Sequence, residues 1–281
     1  MKLVMTLLVR DEEDILRDNI EYHFSQGVDF IIATDNRSVD STKDILMEYQ
    51  RKGKLLYIYE GDDTYNQHAW VTSMACIAYR EHEADWVINN DADEFWWPFE
   101  RNLKDAFLSL DDKINVVRVS RYDYVLHDQI NKDIPFYQTM NYKNLYSKNA
   151  LGKPLPGKVA HKGSAEVAVK QGNHNVDGLG KLVVADNVME ILHFPIRSKK
   201  QFLNKISLGG AAYARNEELD KNIGLTWRVL YEKLKEEGNL DSFLEEVLYS
   251  QSKLSQAIKE GVIIKDLKLS NYFNKINGIR P

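Results

Sequence analysis

One cysteine in 281 residues excludes any disulfide within the chain. Cys76 lies in the run 70–78, whose apolar positions suit a buried helix face, and it is expected to be an inert core thiol. Basic charge is not in excess: 37 Lys and Arg against 42 Asp and Glu leave a formal net charge of -5. That balance argues against nucleic acid as a partner, although a local basic patch can still meet a phosphate. Long hydrophobic runs are missing as well. The apolar start at residues 3–9 runs into Asp11, Glu12, Glu13 and Asp14, too short and too soon acidic for a signal peptide or a membrane span. A cytoplasmic location is therefore expected, with peripheral association at the inner face of a membrane left open. The chain has no internal repeat and no low-complexity segment.

At 43% hydrophobic residues, the chain can bury one substantial core, alone or with a small helical extension. Residues 3–9 read as a buried strand, and Ile15, Leu16, Ile20 and Phe24 then recur at helical spacing. Gly27 punctuates before a second strand at 28–34, a polar loop, and a helix carrying Ile45, Leu46 and Tyr49, with Ser38, Asp40 and Ser41 as candidate caps. A third strand at 55–59, a helix over 65–82 and a fourth strand from Trp86 lead to Asp91-Ala92-Asp93. Strand and helix alternating in this way predict an α/β fold with a mostly parallel central sheet flanked by helices. Such sheets bind ligands beyond the carboxyl ends of their strands. Further on, a short helix through Leu103 and Phe107 and a strand at 115–120 are expected, then a looser aromatic region. Residues 183–191 look strand-like, split at Asp186-Asn187 by a hairpin turn, and a helical C-terminal region follows.

Asp91-Ala92-Asp93-Glu94-Phe95-Trp96-Trp97 is the most informative segment. Two carboxylates one residue apart at a strand end can turn toward one ligand, and oxygen ligands of this kind suit Mg2+ or Mn2+ with a diphosphate completing the shell. A nucleoside diphosphate leaving group develops charge that such an ion offsets. With the first strand and its acidic helix start at 6–13, and the loop Thr34-Asp35-Asn36-Arg37-Ser38-Val39-Asp40-Ser41-Thr42, this segment resembles the donor-binding half of family 2 type glycosyltransferases with the GT-A fold. The Asp-Glu-Phe-Trp wording and the later Leu192-His193-Phe194-Pro195-Ile196-Arg197-Ser198 are most similar to a divergent bacterial branch. Arg37 stands where the loop of that family usually carries Gly.

The resemblance implies a UDP-sugar donor, with Thr6 near the base and Asp35 accepting from a uracil-like edge, which adenine does not present. It implies Asp91 near the ribose and metal, Asp93 on the metal directly, and Arg10 in the donor site. His193 is a candidate late imidazole ligand, which would favour Mn2+, or a phosphate contact. Arg197 is preferred to Lys199 and Lys200 as a phosphate clamp, because a guanidinium binds two oxygens at once. Should the reaction invert, a base is needed on the acceptor side; Asp177 comes first, then His174, which also competes for the metal, then Glu94. Trp96, Trp97, Tyr122, Tyr124 and Phe136 are candidates for stacking on sugar faces, against a core role for each.

These readings add up to a GT-A-like catalytic domain at 1–197, with a donor-binding half at 1–97 and an acceptor side at 98–197, and a helical extension at 198–281. The activity expected is metal-dependent transfer of a sugar to a hydroxyl of a carbohydrate or glycolipid acceptor. A nucleotidyltransferase or phosphotransferase would also want paired carboxylates, but the former usually offers a basic Gly-rich loop where this chain has Arg10-Asp11-Glu12-Glu13-Asp14. An inactive glycan-binding or assembly subunit is the non-enzymatic alternative.

Overall fold

A computed structural model of the chain describes residues 1–64, 66–127, 134–149, 151–217 and 219–278. In chain order the elements are β1 (Leu3–Val9), α1 (Leu16–Ser25), β2 (Phe30–Asp35), α2 (Thr42–Arg51), β3 (Leu55–Tyr59), α3 (Gln67–Arg80), β4 (Trp86–Asp91), β5 (Glu94–Pro98), α4 (Leu103–Leu108) and β6 (Val116–Asp123). Then come α5 (Phe136–Thr139), β7 (Tyr142–Asn144), β8 (Lys158–Lys162), β9 (Ala168–Val169), β10 (Val176–Asp177) and β11 (Val184–His193). The chain continues through α6 (Lys199–Arg215), α7 (Leu225–Glu237), α8 (Asp241–Val247), α9 (Gln251–Lys259), β12 (Ile263–Lys265) and α10 (Lys268–Ile276). Two compact units interleave along it: Met1–Arg121, Pro156–Leu192 and Arg215–Ile223 form the first, and Tyr122–Leu155, His193–Ala214 and Gly224–Pro281 the second.

An eight-stranded sheet in the order β3-β2-β1-β4-β8-β6-β11-β5 organises the first unit. β3, β2, β1 and β4 run parallel, as strand and helix alternation requires, whereas β8 pairs antiparallel with both β4 and β6. The sheet is mostly parallel as expected, and mixed through β8. β1 is apolar on both faces because it lies inside the sheet between β2 and β4. Val4, Ile32, Val87, Val116 and Val159 of the strands pack with Val71, Met74, Ala75 and Ala78 of α3. Burying one such side chain contributes roughly 1.5–3 kcal/mol. Cys76 packs on this cluster without being fully buried.

Four segments depart from the sequence expectation or fill it in differently. Residues 184–193 form one continuous strand, with no hairpin at Asp186-Asn187. Asn187 takes a left-handed φ of 60° inside that strand, which an asparagine tolerates, so the local turn signal is absorbed without reversing the chain. Glu94–Pro98 is itself a strand, and Trp96 is fully buried in it. The helix expected over 65–82 runs over Gln67–Arg80, and Tyr65 lies outside the described residues. Ser41 stands at the N-cap of α2 without a side-chain cap bond; Asp40 Oδ1 accepts the Thr42 N–H instead, at 2.9 Å.

In the second unit, Phe202 and Ile206 of α6 pack with Leu230, Leu240 and Leu244, while Val125, Leu254, Ala257 and Ile263 form another cluster. The C-terminal region is helical as expected, apart from β12, which pairs antiparallel with β7. Lys143 Nζ lies 3.2 Å from Asp266 Oδ2 beside that pair. Among the described residues no helix is long and apolar enough to cross a membrane.

Burial makes stability depend on pH. His23, His161 and His174 are each pushed down to about 4, foremost by desolvation. A depressed histidine contributes stability that is present above its unfolded value near 6.5 and lost as pH falls toward the folded value. Asp18, raised to about 6 by desolvation, acts in the opposite sense, so three groups outweigh one. Urea unfolding at about pH 7.5 and about pH 5 should show a clear loss at the lower pH, and His161→Gln should reduce that difference. Equal stability at the two values would contradict this reading.

Candidate functional site

The register of the parallel strands sets the site. Val9 lies opposite Asp35 and Leu8 opposite Asp91, so the ends of β1, β2 and β4 bring Arg10, Asp35 and Asp91 to one edge of the sheet. This is the carboxyl edge, where ligands of parallel sheets bind.

The turn between β4 and β5 is fixed from below by α1. Asn19 Nδ2 donates to the carbonyls of Ala92 at 2.9 Å and Glu94 at 2.7 Å, and its Oδ1 accepts from Asn90 Nδ2 at 3.0 Å. Asn90 Oδ1 in turn accepts from Trp96 Nε1 at 3.0 Å, and Tyr22 donates to the Trp96 carbonyl at 2.9 Å. Every one of these groups is buried, so each bond is made where water cannot replace it.

Lys158, which opens β8, is buried and forms an ion pair with Asp91 Oδ2 and lies 3.4 Å from Glu94 Oε1. Arg121 Nη1 meets the same Glu94 oxygen at 2.8 Å. The other oxygen of Asp91 accepts from Asn173 Nδ2 at 3.3 Å. Asp93 is buried in the turn. Gly172 and Asn173 both have left-handed φ, 73° and 60°, and an added Cβ at Gly172 would lie 2.4 Å from His174 Nε2. The loop therefore requires glycine there to carry Asn173 to Asp91.

The remaining sequence-expected residues are spread more widely. Thr6 is buried mid-strand and donates to Asn89 Oδ1 at 3.0 Å. Asp35 is buried, and its Oδ1 accepts the Ser38 N–H at 2.9 Å and its Oδ2 the Tyr57 hydroxyl at 3.1 Å. Arg37 adopts φ 61°, the conformation that Gly provides in the resembled loop, at a cost of roughly 1–2 kcal/mol. His174 shares its Nδ1 proton with the Gly157 carbonyl at 2.7 Å; desolvation, then the charge of Lys158, holds its pKa down at about 4. Asp177, in β10, is exposed and paired with Lys170. Glu94 is wholly buried, and its Oε2 has no hydrogen-bond partner among the described residues.

His193 and Arg197 belong to the second unit. His193 Nδ1 lies 2.6 Å from Asp123 Oδ1, which favours the Nδ1–H tautomer. Arg197 Nη1 donates to the Phe194 carbonyl at 2.9 Å. Of the aromatic candidates, Trp96 and Tyr124 are core residues, Tyr124 stacking on Phe194 at 4.6 Å, and Trp97 stacks on Tyr22 at 5.9 Å. Arg121 was missed as a site residue; Lys158 and Asn173 fall in the polar segments 158–163 and 172–178, expected from the sequence to form the second wall of the cleft, without a role toward Asp91 being foreseen for either.

Among the described residues no group of three or more His, Cys, Asp and Glu side chains gathers to hold a metal ion. Mg2+ and Mn2+ are commonly bound by one or two carboxylates together with substrate phosphates. Asp91 and Asp93 are carboxylates of that kind, and Asp91 is also paired with Lys158.

Removing the Lys158 ammonium leaves Asp91 and Glu94 facing one another with less compensation. Lys158→Met should cost about 3–5 kcal/mol, far more than breaking an ion pair at the surface. Urea denaturation measures it, and a loss below about 1 kcal/mol would show that the pair does not tie β8 to the turn.

The comparisons with known proteins can be set beside this geometry. Residues 5–205 match the family model described as glycosyltransferase family 92. The search of curated proteins gives no match. Among solved structures, S. aureus TarS 1-349 in complex with UDP-GlcNAc is similar over 87% of this chain and 75% of that one, at 11% identity and a TM-score of 0.45. The same protein in complex with UDP gives 84% and 72%, 12% identity and a TM-score of 0.44. Glucosyl-3-phosphoglycerate synthase from Mycobacterium tuberculosis, in complex with Mn2+, UDP and phosphoglyceric acid, gives 78% and 80%, 13% identity and 0.40. The resemblance read from the sequence holds at the level of a glycosyltransferase, and the matching family is 92 where family 2 was expected. On a match that spans β1 to the start of α6, the chain belongs to glycosyltransferase family 92.

Proposed function

We propose that this glycosyltransferase moves a sugar from a UDP-linked donor to a hydroxyl of a carbohydrate or glycolipid acceptor, with Mn2+ or Mg2+ bound beside the donor. The observation that carries the reading is the convergence of Arg10, Asp35 and Asp91 on the carboxyl edge of the parallel strands, with Asp93 in the adjoining turn. Asp35 accepts the pyrimidine N3–H, and its bonds from Ser38 and Tyr57 hold the carboxylate in place for that contact. Asp91 and Asp93 hold the ion, whose role when bound is to offset the charge that develops on the departing diphosphate. Lys158 orients Asp91 before the donor arrives.

For the acceptor proton, exposed Asp177 is supported over the other two candidates. Glu94 is buried between Arg121 and Lys158, and a His174 held at about 4 is a weak proton acceptor near neutral pH. In this reading residues 1–97 serve the donor and 98–197 the acceptor, with 198–281 as a helical extension. The same reading gives His193 and Arg197 metal and phosphate roles, tested by His193→Ala and Arg197→Gln in the titrations below.

UDP titrated calorimetrically should bind more tightly with Mn2+ than without, and Asp93→Ala should abolish that difference together with most turnover. Equal affinity in both conditions would assign the cationic role to Lys158 alone and remove the metal. Asp35→Asn should weaken UDP by roughly 1.5–3 kcal/mol and narrow its advantage over ADP and GDP. A panel in which purine diphosphates bind best would overturn the base assignment.

A further inference from the structure

Three guanidinium groups of the first unit meet at one carboxylate. Asp63, in the segment after β3, has Oδ1 2.7 Å from Arg10 Nη1, and its Oδ2 lies 3.3 Å from Arg37 Nη1 and 2.6 Å from Arg215 Nη2. Arg215 Nε also reaches the Asp63 carbonyl at 3.3 Å. The other acidic side chains of these loops turn to other donors: Asp35 to Ser38 and Tyr57, Asp40 to Glu13 and Thr42, Asp62 to Thr64, and Asp11 to Val39. Among the described residues Asp63 is therefore the one carboxylate bound by all three arginines, so that three guanidinium groups converge on one carboxylate charge.

Two further features indicate that this carboxylate underfills its site. The Nε of Arg10 is buried and has no hydrogen-bond partner among the described residues. Arg37 is held in the left-handed region, a position where glycine would be unstrained, and its guanidinium is directed at Asp63. Guanidinium forks match tetrahedral phosphate oxygens, and a phosphate offers more acceptor oxygens and more charge than a carboxylate.

We propose that Arg10, Arg37 and Arg215 form a binding site for a phosphate group, in which Asp63 is a resident internal anion that the phosphate replaces. The proposal rests on the arginine cluster and not on the assignment of UDP as donor. The phosphate belongs either to a nucleoside diphosphate or to a phosphorylated acceptor, and both present the same oxygens to the arginines.

The test uses the full chain and calorimetry at low salt, with inorganic phosphate and pyrophosphate as probes. Asp63→Asn removes the internal competitor and keeps the shape, so it should bind pyrophosphate at least about tenfold more tightly than the unaltered protein, an effect expected to fade with salt. Adding Arg37→Gln or Arg215→Gln to that variant should return the affinity to the starting level. A purely structural Asp63 predicts the reverse, with unchanged or weaker binding in a folded Asp63→Asn chain, and that result would overturn the site. Should Asp63→Asn fail to fold, Arg215→Gln alone decides: phosphate binding equal to that of the unaltered protein overturns the proposal, and weaker binding supports it. UDP that displaces pyrophosphate assigns the site to the donor diphosphate, whereas UDP and phosphate held together assign it to the acceptor. Failure of the UDP reading appears separately, as UDP affinity indifferent to Asp35 and to Mn2+.

Discussion

The buried ammonium of Lys158 is the constraint on which the site is built. It joins β8 to the end of β4 through Asp91 and to the start of β5 through Glu94, so two strands and the turn between them share one cation. Taking these charges from water costs several kcal/mol each, and only their mutual attraction and added hydrogen bonds offset it. Arg121 supplies a second cation to Glu94, and Asn173 a neutral donor to Asp91. An acidic turn that would repel itself in isolation thereby becomes a fixed feature of the fold.

The same turn is held from the other side by uncharged groups. Asn19 places its amide between the Ala92 and Glu94 carbonyls, a bond set that aspartate or leucine could not reproduce. The backbone of the acidic segment is thus positioned by α1, and its side chains by β8 and the loop at 171–175. This division suits a site in which the carboxylates must exchange an internal cation for a ligand while the chain beneath them stays in place.

Charge is managed similarly at the ends of β1, β2 and β3. There Arg10, Arg37 and Arg215 gather around Asp63, while Asp11 and Asp40 of the same loops cap backbone N–H groups. One edge of the sheet consequently carries an acidic turn after β4 and, around Asp63 beyond β3, the guanidinium groups of Arg10, Arg37 and Arg215.

Much of this was written in local sequence. The apolar runs 3–9 and 55–59 became β1 and β3 without adjustment, because a buried parallel strand needs only a short continuous hydrophobic segment between breaks. The strand ending at Asp91 was equally legible, and with it the edge on which Asp35 and Asp91 lie, since parallel pairing follows from the alternation of elements. Pairing across the chain was not. That Lys158 would be buried against Asp91, 67 positions away, depends on β8 entering the sheet antiparallel next to β4. That Asp63 would meet Arg215 depends on a contact across 152 positions. Asn187 gave a strong turn signal that the sheet overrode, since β11 continues through this one left-handed residue without reversing. The sequence alone determined the four parallel strands β1 to β4 and which carboxylates stand at their carboxyl ends; the tertiary structure decided which cation neutralises each carboxylate, because ion pairing depends on distance in space and not on separation along the chain.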